Sequence, residues 1–221
     1  MARPSTDVVY QLHIQLAYIE PPIWRRIVVS GQITLFGLHQ MLQVVMGWEN
    51  SHLHQFIVGK TYYGEPDPEY GDTMKDDRRV RLRAIAREEG ASFIYEYDFG
   101  DGWRHVITVE DIQPLNEYMI VPRCLDGARA CPPEDCGGIG GYTHLLEGLR
   151  DRRHPEHKEL RAWVGKHFDP ELFSVQQVNS ALAACRREIG TPRLSWYTGE
   201  HEKNLQNGGL RAGTRSDGAA G

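Results

Sequence analysis

The stretch from Phe93 to Ile112 leaves little choice about its local structure. Period-two alternation marks Phe93 to Asp98 and Trp103 to Val109, and the two runs, the second extending to Ile112, flank Phe99-Gly100-Asp101-Gly102. Period-two alternation gives a strand one buried face. Glycines and an aspartate between two such runs suit the positive-φ corners of a hairpin loop. A chain with this hairpin in its middle contains an antiparallel pairing, and the rest of the fold must cover the hairpin's apolar face.

The flanking segments supply that cover. Tyr10, Leu12, Ile14, Leu16 and Tyr18 alternate with Gln11, His13 and Gln15 as a strand; after Pro21-Pro22 a second β-rich run extends from Ile23 to Val29. Leu35, Leu38, Leu42, Val45 and Met46 fall at helical spacing behind Thr34, an N-cap residue, and before Gly47, a stop. His52 to Val58 reads as a strand that turns at Gly59-Lys60 into Thr61-Tyr62-Tyr63. Gly64 to Asp77 reads as a long exposed loop, and Val80 to Glu89 as a short helix. Pro122 to Gly141, rich in Pro, Gly and Cys, is expected to be irregular. Three helices are expected after it: one on Tyr142, Leu145, Leu146 and Leu149, one on Leu160, Trp163 and Val164, and one behind the capping box Ser174 to Gln177. Strands precede helices without strict alternation. The expected fold is therefore α+β, a mixed or antiparallel sheet with helices packed on one side, as a single domain over residues 8–189. A flexible start (1–7) and a disordered, glycine-rich tail (190–221) are expected to flank it.

Composition removes several classes. With 40% hydrophobic and 25% charged residues the 221-residue chain resembles globular proteins rather than disordered ones. Its apolar runs, Ile27 to Val29 and the stretch near Leu42 to Met46, are far short of a membrane span. The first residues carry no apolar stretch of the secretory kind, so the expected compartment is the cytoplasm, where the four cysteines serve as thiols or metal ligands. A net charge of -5 works against nucleic-acid binding. The exception is Arg78, Arg79, Arg81, Arg83 and Arg87, which form either a local basic patch or a solvated face paired with Asp76, Asp77, Glu88 and Glu89.

Three groups of residues can carry chemistry. The hairpin places Asp98, Asp101, Trp103 and His105 together, suited to a cation or polar ligand and equally to a tight turn with cross-strand aromatic packing. Cys124, Cys131 and Cys136 can occupy three corners of a zinc tetrahedron with His105 or His144 as the fourth, although the spacing is not that of a zinc knuckle; buried free thiols and a redox pair are the alternatives. His52 and His54, two apart on a strand, can chelate a metal or lie at the surface or in the core.

Tyr97-Asp98-Phe99-Gly100-Asp101 with Trp103 and His105, Pro132-Pro133-Glu134-Asp135-Cys136-Gly137-Gly138 with Gly141-Tyr142, and Trp163 followed by Phe168-Asp169-Pro170 and Phe173 together resemble the plasmid pRiA4b ORF-3-like family, also labelled the passenger TnpR family of insertion elements. The resemblance covers roughly Val8 to Ala184. It implies an α+β fold and plasmid or mobile-element ancestry, and it brings no established activity. Resolvase chemistry is not expected, because no activated serine sits among arginines early in the chain and no basic helix-turn-helix follows.

The hairpin and the Cys131 to Tyr142 loop are expected to converge on one pocket of Asp98, Asp101, Trp103, His105, Glu134, Asp135 and Tyr142. Glu134 and Asp135 would repel the two aspartates unless a cation, an arginine or the amides of the following glycines intervened. The leading functional expectation is a non-catalytic accessory module that binds protein or nucleic acid. The alternative is a metal-dependent hydrolase or nuclease, with Asp98, Asp101, Glu134 and Asp135 on a divalent cation and His105 as general base. A structural zinc is compatible with either.

Overall fold

Alternation in the sequence becomes one continuous sheet. The computed structural model describes residues 7–66, 74–116 and 118–188. The expected flexible start lies outside them except for Asp7, as does the tail expected from residue 190. In chain order the elements are β1 (Val8–Leu16), β2 (Trp24–Ser30), α1 (Leu35–Met46), β3 (His54–Val58), β4 (Thr61–Gly64) and β5 (Met74–Asp76). A 3-10 turn at Asp77–Arg79 and the single-turn α2 (Leu82–Ile85) lead into β6 (Ser92–Tyr97), β7 (Trp103–Pro114) and β8 (Arg123–Ala128). Helices α3 (Gly138–Arg150), α4 (His157–Val164) and α5 (Val175–Glu188) follow. The strand order among the described residues is β5-β4-β3-β6-β7-β1-β2-β8, antiparallel throughout except for β4 with β5.

The hairpin sits near the centre of this sheet, with Tyr97 opposite Trp103 and Tyr95 opposite His105. Its left-handed corners are Asp98 (φ 56°) and Gly102 (φ 69°), not Gly100 or Asp101. Asp98 tolerates the conformation because its Oδ1 accepts the Gly100 and Asp101 amides at 3.0 and 3.3 Å, which closes the turn. One apolar cluster joins Tyr10, Leu12, Ile14 and Leu16 of β1 and their counterparts on the neighbouring strands to α1, to Tyr142 and Leu145 of α3, and to Leu182 of α5. The helices thus cover one face of the sheet, and Gln11, His13 and Gln15 point to the other, partly open face. Helix α1 begins and ends where its sequence directs: Thr34 Oγ1 accepts the Gly37 amide, and Gly47 closes the last turn at φ 94°.

Three details depart from expectation. β5 lies inside the segment read as a loop, β8 inside the Pro-Gly-Cys stretch, and α3 starts at Gly138, before Tyr142. β8 is an edge strand whose outer main chain is matched by a side chain: Asn179 of α5 accepts the Cys124 amide at 2.9 Å and donates to the Cys124 carbonyl at 2.8 Å. That pairing is invisible to periodicity, because its partner lies 55 residues downstream. Among the described residues no helix is long and apolar enough to cross a membrane.

Candidate functional site

The hairpin tip and the 131–137 loop touch. The Gly137 amide donates to Asp101 Oδ2 at 3.2 Å, placing that carboxylate against the start of α3, where helix amides favour negative charge. Gly138 (φ 67°) lies so close to Asp101 that a Cβ there would meet its carbonyl oxygen at 2.6 Å, so the contact requires glycine. A third segment, residues 48–53 between α1 and β3, closes the arrangement. Trp48 Nε1 donates to the Pro132 carbonyl at 3.0 Å, and the Glu49 amide donates to Glu134 Oε1 at 2.7 Å. Tyr97 accepts the Ser51 amide at 3.0 Å and donates to Glu134 at 3.1 Å. Burial pushes the Tyr97 phenol well up, so the hydroxyl remains a donor to that carboxylate.

His52 lies at the centre of these three segments. Its Nε2 is 3.2 Å from Asp135 Oδ1, 3.3 Å from Glu134 Oε2 and 3.7 Å from Asp98 Oδ2. The nitrogen is buried and none of these contacts has hydrogen-bond geometry. Donor atoms of His52, Asp98 and Asp135 all lie within 4.8 Å of one another, close enough to share one ion. Asp98 and Asp135 both occupy the left-handed region (φ 56° each). The Asp135 side chain is 73% exposed, so one side of the cluster faces solvent. Leu53 and Phe99, 62% and 49% exposed, flank it.

The expected site residues divide. Asp98, which is buried, gathers with Glu134 and Asp135 around His52, and Asp101 lies against Gly137, whereas Trp103, His105 and Tyr142 are core residues. His105 is fully buried between Tyr95 and Trp48, and burial pulls its pKa down to about 3, so it is a neutral core imidazole rather than a base open to substrate. Tyr142 is buried with its hydroxyl unpartnered, and burial raises its pKa to about 12. The cysteines do not form a ligand set: among the described residues, the groups of three or more His, Cys, Asp or Glu within ligand-sharing distance contain no thiol. Burial keeps Cys124 and Cys131 protonated and lifts Cys136 to about 12, which makes poor nucleophiles of all three. His144, the alternative fourth zinc ligand, lies instead beside His154 and Glu156 on the α3–α4 connection.

The other histidine pair is likewise separated. His54 bonds Asp77 at 2.8 Å and stacks on His39 at 3.5 Å, while His52 turns to the acidic cluster. Its role there was hidden in the sequence, because His52 precedes β3 and meets carboxylates 46 and more residues away. The arginine-rich segment is largely tied down locally. Arg79 pairs with Asp76 at 3.0 Å, Arg78 lies over the Phe36 ring, and Arg81 donates to the Gln32 carbonyl at 2.7 Å.

The model of the family described as plasmid pRiA4b ORF-3-like protein matches residues 8–177. An uncharacterized protein, y4hQ, of Sinorhizobium fredii (strain NBRC 101917 / NGR234) is 42% identical over 176 residues, which cover 79% of this chain and 90% of that protein. The crystal structure of MM3350, a protein of unknown function from Methanosarcina mazei Go1, superposes with a TM-score of 0.70 at 36% identity, covering 77% of this chain and 97% of that one. The chain belongs to the plasmid pRiA4b ORF-3-like family.

Proposed function

We propose that this family member is a binding module in which His52, Asp98, Glu134 and Asp135 hold a divalent cation and offer its remaining coordination positions to an oxygen-bearing group on a protein partner. The observation that carries the reading is the buried, unbonded Nε2 of His52, with carboxylate oxygens 3.2, 3.3 and 3.7 Å away. Donors around one ion at metal–ligand distances of about 2.0–2.3 Å fall at such separations from one another, and without a cation the carboxylates repel. One imidazole among carboxylates suits Mn²⁺, Fe²⁺ or Zn²⁺ better than Ca²⁺.

Protein is the favoured partner class. Exposed Leu53 and Phe99 beside the cluster offer apolar contacts, while a net charge of -5 and locally engaged arginines oppose a phosphate backbone. The accessory role fits the plasmid and mobile-element ancestry that the family name suggests. Hydrolysis by the same cluster has less support, since the imidazole expected to act as its base is sealed in the core.

Calorimetric titration of chelator-treated protein with MnCl₂, ZnCl₂, MgCl₂ and CaCl₂ tests the reading. One Mn²⁺ or Zn²⁺ per chain is expected, with affinity reduced at least about tenfold in Asp135→Asn and unchanged in Cys136→Ser. Saturation that persists in Asp135→Asn and His52→Ala, or no saturable binding at all, would overturn it.

A further inference from the structure

A second site adjoins the first and is built around Arg25 of β2. The neighbouring Arg26 pairs with Glu110 at 2.6 Å, and the buried Arg129 pairs with Glu171 at 2.8 Å. Arg25 is only 2% exposed and has no carboxylate partner among the described residues. Its Nε donates to the Val45 carbonyl at 2.8 Å, and its Nη1 donates to the carbonyls of Trp24 at 2.8 Å and Ala128 at 2.9 Å. The Phe173 ring covers one face of the guanidinium at 4.1 Å. Among the described residues these bonds engage Nε and Nη1 and none engages Nη2. The carboxyl end of α1, where Val45 lies, supplies about half a negative charge, which balances only part of the cation. A buried charge without a counter-ion is costly.

Arg25 borders a cleft of about 390 Å³ between the end of α1, the 130–134 loop and the segment from Val164 to Val178. That volume falls in the range of about 300–1,000 Å³ typical of small-molecule sites. Val44, Phe168, Leu172 and Val178 give it apolar walls, and Glu134 and Asp169 stand at its border. Among the titratable side chains that line it, which include Glu134, His167 and Asp169, Arg25 is the permanent cation; it can pair one carboxylate, while the two acidic side chains disfavour a doubly charged ligand.

We propose that this cleft receives a small organic monoanion, its carboxylate on Nη2 of Arg25 and its apolar body against Val44, Leu172 and Val178. The proposal does not rest on the cation at His52, although Glu134 borders both sites. The test is calorimetric titration of the full chain with sodium hexanoate, 1-hexanol and inorganic phosphate, each in EDTA and in MnCl₂. Hexanoate is expected to bind one per chain in EDTA, at least about tenfold tighter than hexanol, with phosphate not binding, and to bind at least as tightly in MnCl₂, where a cation would offset the charge of Glu134.

Arg25 itself ties together β2, α1 and β8, so the decisive variants are placed at Leu172, which is 57% exposed at the cleft. Leu172→Glu is expected to weaken hexanoate at least about tenfold at unchanged melting temperature, and Leu172→Lys is expected not to weaken it. Equal affinity for hexanol and hexanoate, phosphate binding at least as tight, no saturable hexanoate heat, or indifference to Leu172→Glu would each overturn the proposal.

Discussion

Two histidines of this protein each carry a buried Nε2 without a hydrogen bond, and they lie in opposite surroundings. His105 is enclosed by Tyr95 and Trp48 and sees no carboxylate within pairing distance among the described residues; His52 faces Asp98, Glu134 and Asp135. Desolvation alone accounts for the first, because a neutral ring can sit in an apolar layer. It does not account for the second, where negative groups from two distant segments gather around a nitrogen that bonds none of them. The difference separates a residue that fills space from the one on which the proposed cation site rests.

The largest effect expected at the core end is on folding. Trp103 is buried beside Trp48, so Trp103→Ala should cost about 3–5 kcal/mol in urea unfolding. A loss below about 1 kcal/mol would remove the core from the comparison.

Acid should distinguish the core histidine next. The folded pKa of His105, about 3, lies below the unfolded value of about 6.5. The unfolded chain therefore binds the extra proton, and the contribution is complete above about pH 6.5 and falls away by about 1.4 kcal/mol per pH unit on acidification toward pH 3. His105→Leu should flatten the pH dependence of the urea midpoint between about pH 6.5 and 5 by that amount. An unchanged slope would mean that the folded ring takes up the proton after all.

A smaller effect is expected at the tip. Glu134→Ala removes the acceptor of the exposed Glu49 amide and of the part-buried Tyr97 hydroxyl, a loss of about 0.5–1.5 kcal/mol in the same assay. It should also weaken Mn²⁺ binding, which Trp103 substitutions that remain folded should not. Loss of stability without loss of metal affinity would reduce Glu134 to a loop tie.

Legibility followed the range of the interactions. The hairpin, β1 and α1 could be read because their signals are local: alternation, a Thr34 cap, a Gly47 stop. The contact between the hairpin tip and the 131–137 loop could also be read, since Asp98 and Asp101 sit on that hairpin and Glu134 and Asp135 on one stiff loop. β8 could not, because its edge is completed by Asn179 from a distant helix. His105 and Trp103 looked like site residues because aromatic and imidazole side chains serve cores and pockets alike; only burial separates the two. Arg25 gave no signal, as an arginine in a strand ordinarily points to solvent, and only the packing of β2, α1 and β8 shows that this one does not.

The most direct test of the cation at His52 is a crystal of the full chain soaked in MnCl₂ and measured for anomalous scattering. The expected result is one peak per chain, about 2.0–2.3 Å from His52 Nε2, Asp98 Oδ2 and Asp135 Oδ1, with Glu134 at or next to the shell. Ordered carboxylates around His52 with no peak between them, or a peak at the cysteines instead, would contradict it.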